Sequence, residues 1–213
     1  MQAALTGSLA AAGLLAGWPQ RAVVTRLALP GARIWPEALV PGVVTAVLLA
    51  ALAARVPGGL VLAAACWLTA CAVPLAFVDL AVSRLPDPLT AAAWAGTTLL
   101  LLLAAAVDAP HSSWSALLRA VLGGVALAAF YLLLVIISPA GMGLGDVKLA
   151  AGLGTLLAWF GWRVLLAGGA AGFLLGGLGA AAVLAVRRGD RKQLMAFGPF
   201  MIAGAVLAVL TLR

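Results

Sequence analysis

Six carboxylates serve the whole 213-residue chain, and two of them stand where contact with water does not explain them. Asp79 closes the apolar run Val73-Pro74-Leu75-Ala76-Phe77-Val78 and is followed by Leu80-Ala81-Val82. An ionised carboxylate at a hydrocarbon edge is costly unless it is paired, hydrated or protonated. Its residue type and setting leave two readings open, a structural partner for Arg84 or a functional group. Asp146 lies in Gly141-Met142-Gly143-Leu144-Gly145-Asp146-Val147-Lys148-Leu149. The alternating glycines there allow a sharp turn or a close approach of another segment. Asp146 opens the next apolar stretch, where a helix N-terminus favours its charge and an ordinary cap is one reading. Two carboxylates sharing one site cannot both ionise cheaply, so one is pushed toward its acid form. The charged member can then take a proton from water while the neutral one donates to a peptide carbonyl, the arrangement of aspartic proteases.

The remaining candidates have simpler roles. Asp87 lies in the turn Ser83-Arg84-Leu85-Pro86-Asp87-Pro88-Leu89-Thr90, whose two prolines restrict the backbone. It can accept amides around that turn or cap the following helix. Glu37 and Asp190 sit beside bases, and Asp108 lies in the short stretch that contains His111. His111 is the single histidine and reads as an interfacial residue on the face opposite the polar motifs. No serine–histidine–acid set is available. A zinc site lacks ligands, because Cys66 and Cys71 fall within one apolar run and read as small core residues. The glycine-rich motif has no Gly-Lys-Ser/Thr triplet and no β-α-β surroundings, so neither phosphate-loop fingerprint fits.

These groups need a framework, and composition says which. The chain is 65% apolar and 9% charged, against roughly 45–50% and 25% in soluble domains. A soluble enzyme, a disordered chain and a disulfide scaffold are excluded. The expected class is an all-α, polytopic transmembrane bundle. Breaks at charges, prolines and glycine pairs give about eight apolar runs, near 2–18, 38–55, 59–78, 88–107, 115–137, 146–160, 164–186 and 194–212. The first and sixth are short against the roughly 20 residues a spanning helix needs. The first lacks a basic flank and reads as a retained helix rather than a cleaved signal. The net charge of +7 comes from scattered bases with no nucleic-acid motif, consistent with anchoring to anionic lipid. Arg21, Arg26, Arg33, Arg84, Lys148, Arg187, Arg188, Arg191 and Lys192 fall on one side of an eight-span plan. Arg55, Arg119, Arg163 and Arg213 fall on the other. The positive-inside rule then puts the first group, and both aspartate motifs, in the cytoplasm and both ends outside. Asp79 and Asp146 can meet if the third and sixth helices are neighbours. At this level a protease, a small ion-coupled transporter and a scaffold with Asp79–Arg84 and Asp146–Lys148 pairs all remain compatible.

The ordered set of motifs resembles the type IV prepilin peptidases, polytopic aspartic proteases related in pattern to archaeal preflagellin peptidases and sharing Gly-x-Gly-Asp with presenilin-like enzymes. The elements are Asp79; Leu85-Pro86-Asp87 with Leu89-Thr90; and Gly143-Leu144-Gly145-Asp146-Val147-Lys148-Leu149. Phe197-Gly198-Pro199-Phe200 resembles a further family stretch, with Ala196 in place of its first proline. Together these cover roughly residues 60–212. The resemblance implies Asp79 and Asp146 as the catalytic pair, with Asp87, Gly143, Gly145 and Lys148 in support. It implies hydrolysis after a glycine that ends a short basic leader on type IV prepilins or pseudopilins, at the cytoplasmic face of a bacterial membrane, with no metal. Residues 1–58 would be an N-terminal transmembrane pair and 59–213 the catalytic membrane domain. Many relatives also methylate the new N-terminus using S-adenosylmethionine, through a larger, cysteine-containing cytoplasmic segment. Here the 19–37 connection is short and has no cysteine. Gly17, Arg26 and Leu27 keep the spacing of the family's entry motif, but Arg21 and Ala28 replace its asparagine and proline. Peptidase without methyltransferase is therefore the expected form.

Overall fold

The computed structural model describes residues 2–27, 38–107, 112–138, 142–186 and 196–212, the side chains of 112 and 183–186 excepted. Eight helices follow one another: α1 (Gln2–Leu27), α2 (Leu39–Arg55), α3 (Leu60–Val82), α4 (Asp87–Val107), α5 (Ser112–Ile137), α6 (Leu144–Phe160), α7 (Trp162–Val186) and α8 (Gly198–Leu212). The described residues contain no strand. They match the eight expected runs in order. By length and composition α3, α4, α5 and α7 can cross a membrane, and α2 and α8 are shorter apolar helices. Large apolar side chains such as Leu15, Val107, Ile137, Leu166 and Leu178 stand exposed on the outer surface. So much uncovered apolar surface belongs against lipid. The protein is an all-α membrane bundle.

Helix ends depart from the sequence reading where charge or proline was taken as a stop. The first helix is not short: α1 continues through Pro19, Arg21 and Arg26 to Leu27. One proline removes a single ladder bond, and both arginines are exposed helix formers. They therefore belong to a helix and not to a connection. Similarly α3 runs on to Val82, so Asp79 sits in its last turn. The sixth helix begins at Leu144, two residues early, which puts Asp146 in its first turn. Glu37, Asp108, His111, Gly141 and the Arg187–Lys192 cluster lie outside the described residues.

The shortness of α6 has a packing explanation. It touches α3, α4, α5, α7 and α8, and every residue from Gly152 to Ala158 is buried. A helix surrounded by protein needs no lipid-length apolar stripe. Its neighbour α5 approaches closely: a Cβ on Gly154 would stand 2.8 Å from the Gly123 carbonyl oxygen. At the far end of α6, Arg119 of α5 donates through Nε to the Ala158 carbonyl (2.7 Å) and through Nη2 to that of Trp159 (2.6 Å). The Ala158 carbonyl also accepts the Gly161 N–H at 3.1 Å, so Arg119 supplements the helix's own C-terminal cap.

A second polar contact joins the N-terminal helices to α3. Pro74 lies inside α3 and cannot donate to the carbonyl four residues back, that of Ala70. Gln20 of α1 donates to that carbonyl instead, through Nε2 at 3.2 Å. The Gln20 Oε1 in turn accepts the Thr45 hydroxyl of α2 at 3.0 Å. Gln20 is 5% exposed, and a buried amide in a membrane bundle needs such partners.

Candidate active site

α3 and α6 are neighbours, and their ends meet at a cavity of about 250 Å³. Asp79, Ser83, Arg84 and Leu85 line one side, and Gly143, Leu144, Gly145 and Asp146 the other. The two carboxylates are within electrostatic reach of each other, and their residues are only 5% and 6% exposed. Both line the cavity.

Each carboxylate is held by a glycine amide at the start of a helix. Asp146 Oδ2 accepts the Gly143 N–H at 2.9 Å, while the Asp146 N–H returns to the Gly143 carbonyl at 3.1 Å. The side chain thus caps its own helix, as its position after a glycine turn suggested. Asp79 Oδ2 accepts the Gly198 N–H at 2.9 Å from the first residue of α8. Each bond engages one oxygen, so neither carboxylate is consumed by its scaffold. Directly after Asp79, α3 is cut off by Ser83, whose φ of 49° and ψ of 42° are left-handed. Its N–H closes the helix on the Asp79 carbonyl at 2.7 Å. Left-handed geometry in a residue with a Cβ costs about 1–2 kcal/mol, and here it places Asp79 at an abrupt helix end beside the cavity.

The supporting residues separate into two kinds. Gly145 is sterically required, since a Cβ there would lie 2.8 Å from that of Leu85 in the Leu-Pro-Asp turn. Gly143 has ordinary extended backbone, and a Cβ there would meet its neighbours only at 3.8 Å, so its contribution is its amide. Lys148 and Asp87 pair with each other, Nζ to Oδ1 at 2.6 Å, with side chains 48% and 71% exposed. They tie the start of α4 to α6, and neither lines the cavity that holds Asp79 and Asp146. Asp79 is not bridged to Arg84, nor Asp146 to Lys148, which removes the pairings on which a scaffold reading rested. Among the described residues no group of three or more His, Cys, Asp or Glu is placed to hold a metal ion. Cys66 and Cys71 are free thiols inside α3.

A family model described as the type IV leader peptidase family matches residues 62–212, which contain every element of this cavity. The chain belongs to that family. A prepilin leader peptidase/N-methyltransferase of Aeromonas hydrophila is 32% identical over 167 residues, 78% of this chain. The aligned part is 55% of that protein, so the chain spans about half the length of the curated relative it matches. No solved structure matches.

Gly198 is the family-site residue that sequence reasoning underrated. The resemblance of Phe197-Gly198-Pro199-Phe200 flagged the stretch, and the structure gives it a task. A Cβ on Gly198 would come within 2.9 Å of Asp79 Oδ2, so only glycine lets this amide reach the carboxylate.

Proposed function

We propose that the protein is a membrane-embedded aspartic endopeptidase that removes the short basic leader from type IV prepilins or pseudopilins, cleaving after a glycine at the cytoplasmic membrane face. The observation that carries the reading is the pair of buried carboxylates on one cavity, each held through a single oxygen by a glycine amide. Close carboxylates share a proton, which leaves one base and one acid. The ionised carboxylate takes a proton from water as the water oxygen attacks the peptide carbonyl carbon. The protonated one donates to the carbonyl oxygen. Collapse of the tetrahedral species breaks the C–N bond and releases the leader's new carboxylate and the mature amine, with the proton passed to nitrogen. Asp87 and Lys148 act on this reading as an exposed pair that holds α4 against α6. Residues 59–213 are the catalytic unit, and the basic connections face the cytoplasm of a bacterial inner or plasma membrane.

Methylation with S-adenosylmethionine is the second reading, because the A. hydrophila relative is named for both activities. The absence of cysteine from the 19–37 segment and the close packing of Gly17 on Ala38 and Gly42 support peptidase activity alone. No step is assigned to methylation.

The test is cleavage of pilin-like precursors by the purified chain in detergent or lipid. Asp79→Asn and Asp146→Asn keep size and remove proton exchange. Each should abolish cleavage while leaving the unfolding midpoint near that of the unaltered protein. Turnover by Asp146→Asn close to the unaltered rate would exclude the mechanism.

A further inference from the structure

Tyr131 is the only tyrosine in the chain, and neither the family motifs nor the mechanism above uses it. It is 1% exposed, the largest side chain buried to that degree among the described residues. Its ring packs edge-on against Phe130 at 5.5 Å and against Phe197 at 6.0 Å. Phe197 immediately precedes the glycine whose amide holds Asp79.

Helix register puts the same residue at the depth of Asp146. α5 and α6 run antiparallel, with Arg119 beside Trp159 and Gly124 beside Ala151 and Thr155. Two helical turns beyond Gly124, about seven residues, the register brings Tyr131 level with Val147 and thus with Asp146. The phenol lies within electrostatic reach of that carboxylate. Its hydroxyl makes no hydrogen bond to another described residue, yet it is not among sealed, unsatisfied polar atoms. At 1% exposure the residue is all but sealed from bulk water. A hydroxyl left without a protein partner in so buried a setting is costly unless water serves it.

We propose that Tyr131 is a positioning residue for both carboxylates: its hydroxyl donates through a bridging water to Asp146, and its ring braces the Phe197–Gly198 turn that holds Asp79. The proposal rests on the reading of Asp79 and Asp146 as the reacting pair. One side chain of α5 would then set the relative depth of groups carried by α3 and α6, which share no direct hydrogen bond.

A single tyrosine allows a direct test that needs no substrate. In the full chain, with isotope-labelled tyrosine and in lipid nanodiscs, the infrared phenol C–O band reports Tyr131 alone. Asp146→Asn should shift that band, and Asp87→Asn in the exposed pair with Lys148 should leave it in place. A band unmoved by Asp146→Asn overturns the proposal, whether or not the protein proves to be a peptidase. With a cleavable pilin-like precursor, Tyr131→Phe keeps the ring and should lower kcat about tenfold, the effect of roughly one charge-assisted hydrogen bond, with KM unchanged. Tyr131→Leu, which also removes the brace, should lose more. A Tyr131→Phe enzyme with the unaltered kcat assigns the residue to packing alone and overturns the proposal.

Discussion

Gly198 has no side chain, yet it fixes where the Asp79 carboxylate rests, through an amide delivered from 119 residues away. Gly198→Ala would drive a methyl against Asp79 Oδ2, and misplacing a reacting group by about 1 Å can cost 10²-fold in rate. The expected outcome is a loss of cleavage of about that size with near-normal folding, read from initial rates beside a thermal melt. The exposed Asp87–Lys148 pair should behave differently. Exposed ion pairs contribute about 0–1 kcal/mol, so Asp87→Asn should retain much more activity than either Asp79→Asn or Asp146→Asn under the same assay. These contrasts follow how the residues could be read. Asp79 and Asp146 stand out because a charge beside an apolar run is conspicuous without any structure. The amide of Gly198 and the ring of Tyr131 leave no such mark, since their meaning lies in which distant helix end they face.

At the scale of helices, the order, number and many ends of the elements followed from the apolar runs, while the C-terminal ends of α1 and α3 did not. Arg21 and Arg26 look like loop residues when charge is taken as a boundary, but a helix can carry exposed arginines beyond its apolar stretch. Pro74 shows the converse, a helix breaker that α3 keeps because Gln20 accepts the consequence. That contact can be tested by a double-mutant cycle. Gln20→Leu alone strands the Ala70 carbonyl and should lower stability by about 1 kcal/mol, the scale of interhelical hydrogen bonds in membranes. Adding Pro74→Ala restores an in-helix donor to that carbonyl. The double variant should therefore recover much of the lost unfolding midpoint in detergent. Equal midpoints for the single and double variants would show that Gln20 does not compensate the proline.

For the whole molecule, the proposed orientation follows from opposite ends of α3. Gly58, with open space around it, and Arg84, exposed past the other end, should lie on opposite faces. In a variant freed of Cys66 and Cys71, a cysteine at position 58 should label from outside intact cells. One at position 84 should label only after permeabilisation, and the reverse pattern would invert the topology. Carboxylate chemistry also predicts that EDTA or phenanthroline leaves initial cleavage rates unchanged. A loss restored by one particular metal would require a different site. Intact-mass analysis of the product with and without S-adenosylmethionine should show the mature chain without an added methyl group.

The Gln20–Ala70 contact has a temporal side. Translation makes the donor before the acceptor: α1 has left the ribosome by the time α3 is synthesised, so the carbonyl freed by Pro74 enters the bilayer with its partner already there. A chain begun at residue 59 would carry the whole cavity and still insert α3 with a bare acceptor facing acyl chains. The order of synthesis thus has Gln20 and Thr45 made before the segment of α3 whose carbonyl they serve.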